Sequence, residues 1–150
     1  MKPFIIGVAG GSGSGKSKVT EQIIHAVGAE KVTVFIQDNF YLDRSHLTPE
    51  ERSRVNFDHP SAFDWTLMTK LLDDLANGVP VEMPQCDFTT HTRVAATKTV
   101  APAKIIILEG IFGLYNEEMC KQMALRIFID TAGDICLMRR LKRDISERNR

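Results

Sequence analysis

The sequence predicts an α/β domain in which a parallel β-sheet is flanked by helices. Short apolar runs at Phe4–Ala9, Lys31–Ile36, Lys104–Leu108 and Leu125–Ile129 alternate with segments whose apolar residues recur at helical spacing. Each run also ends in a glycine-rich or acidic stretch, as expected where buried parallel strands deliver polar groups to the carboxyl edge of a sheet.

The first run leads into Gly10-Gly11-Ser12-Gly13-Ser14-Gly15-Lys16-Ser17, which fits the phosphate-binding pattern G-x-x-x-x-G-K-[ST]. The glycines allow backbone turns that aim several N–H groups at phosphate oxygens. Lys16 supplies a positive charge for the β- and γ-phosphates, and the Ser17 hydroxyl is a ligand suited to Mg²⁺. Val19, Ile23, Ile24 and Val27 then mark a helix whose N-terminal end faces the anion, with Gly28 as its cap. Strand, loop and helix in this order predict a P-loop NTPase-like sheet that binds a nucleoside triphosphate.

The second strand leaves Gln37-Asp38-Asn39-Phe40-Tyr41 at its carboxyl end. Thr48-Pro49-Glu50-Glu51 reads as a capping box with proline at the first helical position. Asp64 is placed to cap a longer helix carrying Leu67, Met68, Leu71, Leu72 and Leu75, ended by Asn77-Gly78. Across about 79–100, Pro80, Pro84 and alternating β-branched residues predict a β-hairpin excursion from the core. Lys104–Leu108 and Leu125–Ile129 read as buried strands ending in Glu109-Gly110 and Asp130. Ile135, Met138, Leu141 and Ile145 predict a final amphipathic helix over about 134–150, with arginines on its other faces.

Composition bounds the function. The 150 residues suffice for one domain, 1–150, with a substantial core. Hydrophobic residues at 43% and charged residues at 25% are ordinary for a globular protein. A formal net charge of zero argues for neither nucleic acid nor a membrane as partner. Cys86, Cys120 and Cys136 are odd in number and lack metal-site spacing, which suits reduced thiols in a cytoplasmic protein. A cytoplasmic location is also expected because neither a leader nor a bilayer-spanning run is visible.

Glu109, ending a strand beside the P-loop, can hold Mg²⁺ with Ser17, or can pair with a lysine or arginine as strand-end acids often do. Asp38 suits either a general base or a turn cap. The arginines of the last helix suit phosphate clamps, or a solvated face with pairs such as Arg140–Asp144 and Arg143–Glu147.

Further segments occur in order: Asp38-Asn39-Phe40-Tyr41, Asn56-Phe57-Asp58-His59-Pro60 with Phe63-Asp64, Pro84 and Asp87-Phe88 with His91 and Arg93, Glu109-Gly110-Ile111, and Arg143–Arg148. With the P-loop, they resemble the uridine kinase (uridine-cytidine kinase) family over nearly the whole chain. The resemblance implies phosphorylation of uridine or cytidine at the 5′-hydroxyl to UMP or CMP, in pyrimidine salvage. The donor would be ATP (or GTP) with Mg²⁺, and Asp38 the base, with water-mediated access to the metal. It implies ATP-binding by Gly10–Ser17 and Arg148. Tyr41, Phe57, Asp58, Cys86, Phe88, His91, Arg140, Arg143, Arg148 and Arg150 would form the nucleoside side. Lys16, Arg140 and Arg143 would act on the transferring phosphoryl group, the last two from an Arg-rich lid helix. A homotetramer and inhibition by pyrimidine triphosphates are implied as well, with no nucleic-acid partner.

Three departures qualify that likeness. Cys86 stands where the family commonly has Tyr, which bears on uracil against cytosine selectivity. Asn149 stands where Gly is usual between the last arginines. Family members usually carry a further helix and strand beyond the point where this sequence stops. Competing expectations are another P-loop small-molecule kinase (phosphoribulokinase-, pantothenate- or nicotinamide riboside kinase-like), or a shortened nucleotide-binding protein without turnover. The N-F-D-H-P segment and the hairpin motif speak against the first, and intact Lys16, Asp38 and Glu109 against the second.

Overall fold

The apolar runs become the strands of one parallel sheet in the computed structural model, which describes residues 1–147. In chain order the elements are β1 (Phe4–Gly10), α1 (Lys16–Val27), β2 (Val32–Ile36), α2 (Pro49–Ser53), α3 (Trp65–Ala76), β3 (Val81–Asp87), β4 (Thr92–Val100), β5 (Ile105–Gly110), α4 (Glu117–Gln122), β6 (Leu125–Ile129) and α5 (Gly133–Ser146). Short 3₁₀ turns at Ala29–Lys31, Gln37–Phe40 and Pro60–Ala62 join them. The sheet order is β2-β5-β1-β6, and β3 and β4 form a separate antiparallel pair.

Successive side chains of a strand face opposite ways, and the central strands feed two cores. Ile106 and Leu108 join Phe35, Phe40, Met68, Leu72 and Leu75 on the α3 side, while Ile6, Val8 and Ile107 pack with Ile23 and Ile24 of α1 on the other. Burying a side chain such as Leu72 contributes about 1.5–3 kcal/mol. Register then sets the site. Glu109 pairs with Val8 on one side and Ile36 on the other, so the P-loop, Glu109 and the Asp38 turn leave the sheet at one level.

The local signals form as expected. Thr48 and Glu51 close a reciprocal capping box, with Thr48 N donating to Glu51 Oε2 (2.8 Å) and Glu51 N to Thr48 Oγ1 (3.3 Å). Asp64 Oδ1 accepts from Leu67 N (3.1 Å) to start α3. Gly28, at φ 97°, caps α1 by donating its N–H to Ile24 O (2.9 Å).

Two expectations, on the hairpin and on β6, need correction. The hairpin is not wholly an excursion: Val81 and Met83 belong to the main core, at 4% and 2% exposure. β6 is a strand but not a buried one, because it lies at the edge of the sheet beyond β1, and Phe128 is 64% exposed. In α5 the apolar stripe of Ile135, Met138, Leu141 and Ile145 faces outward, Ile145 at 69% exposure, while arginines turn inward. No helix among the described residues is long and apolar enough to cross a membrane. Arg148, Asn149 and Arg150 lie outside the described residues, and so do the nucleotide and substrate contacts expected of Arg148 and Arg150.

Candidate active site

The P-loop turns between β1 and α1. Gly13 (φ 80°) and Gly15 (φ 103°) occupy left-handed backbone that other residues adopt at a cost. Gly13 also has no room for a side chain, since a Cβ there would lie 2.5 Å from Cys136 O of α5. Ser14 N donates to Gly11 O (3.0 Å), and Thr131 Oγ1 donates to Ser14 O (2.8 Å), tying the loop to the end of β6.

Lys16 Nζ donates to Gly11 O (2.9 Å), which holds the ammonium over the loop. Burial lowers its pKa below the ordinary lysine value, and the Asp38 and Glu109 carboxylates pull it back up. Arg143 pushes the other way, so Lys16, Asp38, Glu109 and Arg143 act on one another electrostatically. Ser17 Oγ donates to Glu109 Oε1 (2.7 Å), so the strand-end acid is met by a hydroxyl.

These oxygens fit a hard divalent cation. Among the described residues no group of three or more His, Cys, Asp or Glu side chains could hold a metal ion.

Asp38 sits in the turn directly after β2. Its neighbour Gln37 is fully buried, and Gln37 Oε1 accepts from Phe112 N (2.8 Å). Gln37 also packs against Gly110, where a Cβ would collide with it. The Asp38 turn and the loop after Glu109 are therefore fixed to each other through one amide side chain.

Beyond Asp38 lies a pocket walled by aromatic rings. Tyr41 stacks on Phe63 (4.4 Å between centroids), meets Phe57 edge-on (5.3 Å), and Phe57 stacks on His91 (4.8 Å). His91 takes φ 55°, a left-handed conformation at the hairpin tip that histidine tolerates better than most residues. In the N-F-D-H-P segment, Asn56 Oδ1 accepts from Asp58 N (3.0 Å), and His59 Nδ1 accepts from Ser61 N (3.1 Å), which shape the turn presenting Phe57 and Asp58. Cys86 Sγ donates to Asn39 O (3.5 Å). Burial pushes its thiol pKa up, against the nearby Arg93 charge, so the group stays a neutral thiol at neutral pH.

Helix α5 crosses both regions. Arg143 Nη2 donates to Ser12 Oγ (3.0 Å), and Arg140 Nη1 pairs with Asp58 Oδ2. Arg140 also lies 3.6 Å from Asp144, while Arg143 pairs with Asp144 rather than Glu147 among the described residues.

The expected residues are thus brought together in two adjoining cavities. Asp38, Tyr41, Phe57, Asp58, Cys86, Phe88, His91, Arg140 and Arg143 line the aromatic pocket. Ser12, Gly13, Gly15, Lys16, Ser17 and Glu109 line the P-loop cleft. Asp38, Phe88, Arg143 and Ser12 border both. Phe57 and Phe88 are pocket walls rather than core.

Sequence reasoning missed Arg139, whose Nη1 donates to Gly13 O (3.3 Å), and the anchor Gln37. Gln37 directly precedes Asp38, which was the available signal. Arg139 had none, since four basic residues crowd that turn of helix.

Comparisons with known proteins bear on the family and the fold. The family model "Phosphoribulokinase / Uridine kinase family" matches residues 5–150. A uridine kinase of Deinococcus deserti is 50% identical over 150 residues, covering 100% of this chain and 72% of the relative. A uridine kinase of Staphylococcus carnosus is 49% identical over 146 residues, covering 97% and 70%. In fold, a candidate fructose transport system kinase from Silicibacter sp. TM1040 superposes with TM-score 0.80 at 22% identity, covering 96% of this chain and 73% of the other. A possible uridine kinase from Bacillus stearothermophilus gives TM-score 0.66 at 18% identity, covering 98% and 84%. The chain belongs to the phosphoribulokinase/uridine kinase family of kinases.

Proposed function

We propose that this chain transfers the γ-phosphoryl group of ATP (or GTP) to the 5′-hydroxyl of uridine or cytidine, giving UMP or CMP. The observation that carries the reading is the shared wall: Asp38 and Arg143 border both the P-loop cleft and the aromatic pocket. A donor in one and a nucleoside in the other would meet at these side chains. The names of the relatives supply the substrate class.

On this reading, the P-loop N–H groups and Lys16 bind the triphosphate. Ser17 and Glu109 would hold Mg²⁺, which when bound neutralises phosphate charge. Asp38 accepts the 5′-hydroxyl proton as that oxygen bonds to the γ-phosphorus and the bond to the nucleoside diphosphate breaks. Arg143, with Arg140 beside it, balances negative charge on the transferring group. Asp58 accepts hydrogen bonds from the ribose hydroxyls, and Tyr41, Phe57, Phe88 and His91 enclose the flat base. Cys86 replaces a larger ring at the base edge.

The test is incubation with Mg-ATP and a panel of nucleosides while following ADP release. Release with uridine or cytidine is expected. Nucleotide binding without release in either case would sink the proposal in favour of a nucleotide-binding protein without turnover.

A further inference from the structure

Cys86 and Arg93 face each other in register across β3 and β4, and both reach away from the hairpin to the same segment. Arg93 Nη2 donates to Tyr41 O (2.9 Å) and lies 3.7 Å from Asp64 Oδ2. Cys86 Sγ donates to Asn39 O (3.5 Å). The carbonyls they grip flank Phe40 and follow Asp38 directly.

That segment is zipped on its other side to the start of α3. Leu42 N donates to Ala62 O (2.9 Å), Asp64 N donates to Phe40 O (2.8 Å), and Tyr41 bridges to Phe63. Arg93 thus joins the hairpin, the segment after Asp38 and the cap of α3 at one point. Its planar guanidinium can address a carbonyl and a carboxylate from fixed directions, which a lysine ammonium cannot. The hairpin does not need Arg93 in order to form, because β3 and β4 have their own ladder and Val81 and Met83 anchor it in the core.

We propose that Arg93 is a positioning residue that couples the hairpin wall of the pocket, with Phe88 and His91, to the segment carrying Asp38. A base docking against the hairpin then also sets Asp38 for proton transfer. The inference rests on the nucleoside kinase reading above.

Arg93→Met and the milder Arg93→Lys test it, by kinetics and by hydrogen exchange resolved to peptides. Loss of a charge-assisted hydrogen bond should lower kcat/KM for uridine by about tenfold to a hundredfold. The loss should fall on kcat as well as on the KM for uridine, with the KM for ATP unchanged. Arg93→Lys should recover only part, because a point charge does not serve both partners. Amide exchange should rise together over 38–43 and 86–93 while β1 and β5 stay slow. A rise in the hairpin with 38–43 unchanged overturns the coupling, as does an unchanged kcat. If the unaltered protein fails to phosphorylate uridine, the kinase reading falls, and the exchange pattern still decides the coupling.

Discussion

Asp58 separates a structural role from a functional one by magnitude. It pairs with Arg140 across the pocket mouth, with side chains 45% and 35% exposed. Exposed pairs of this kind contribute about 0.2–1 kcal/mol to stability. Asp58→Asn should therefore lower Tm by no more than about 2–4 °C for a domain of this size. Its effect on the nucleoside should be larger. A carboxylate accepting from ribose hydroxyls makes hydrogen bonds worth about 1.5–3 kcal/mol, which is roughly a tenfold to hundredfold loss in kcat/KM. The loss should be greater for uridine than for 2′-deoxyuridine, so the preference for ribose narrows. ADP release with both nucleosides and a thermal melt on the same preparations give the answer. A preference that survives Asp58→Asn unchanged, or a Tm drop well beyond the range for an exposed pair, refutes the assignment. Arg140→Met, which removes the partner and leaves the carboxylate, and the double variant complete the cycle.

Other expectations concern the chemistry and its pH dependence. Asp38→Asn should cut turnover by about 10²–10⁴-fold, the contribution of a general base, with nucleotide affinity unchanged by titration; near-normal turnover would exclude the role. Cys86→Tyr should shift the uridine-to-cytidine ratio of kcat/KM, and a ratio constant within error means the position does not read the base. Lys16 has its pKa lowered by burial, so activity should begin to fall on the alkaline side below the ordinary lysine pKa. The sign for stability is opposite: between the folded and unfolded pKa the unfolded chain binds more protons, so the Lys16 contribution to stability rises with pH. An alkaline limb seen equally in Lys16→Met at residual activity would assign it to another group.

How much was legible in the sequence depended on range. The P-loop, the Thr48 capping box and the Asp64 cap were readable because each is a contact within a few residues, and spacing alone specifies it. The central strands were readable because burial on both faces demands a continuous apolar run. Strand β6 is apolar apart from Arg126 and lies at the edge, and position in a sheet is a tertiary outcome that an apolar run alone does not encode. Gln37 was missed because its partner, the Phe112 N–H, is 75 residues away. Arg93 was visible as part of a motif, but its acceptor at Tyr41 O belongs to another element. For the last helix, periodicity separated the apolar and basic faces, and it is arginines of the basic face that reach Gly13, Ser12 and Asp58.

The orientation of this helix bears on how the site is held. No residue of α5 is buried, and its apolar side chains face outward. Among the described residues, polar ties link the helix to the pocket: Arg139 to Gly13 O, Arg143 to Ser12 Oγ and Arg140 to Asp58, with Cys136 O against Gly13. Hydrophobic burial is indifferent to the contents of a cavity, whereas these ties end on the P-loop and on the carboxylate facing the aromatic pocket. On the proposed function, a helix anchored this way takes its position from groups that would also meet the ligands. Phosphate at the P-loop and a hydroxyl at Asp58 would compete for or add to the same arginines, so occupancy of both cavities bears directly on where α5 sits. Gly13 makes the link mechanical as well as electrostatic, because with only hydrogen on its Cα the loop and the α5 backbone can touch.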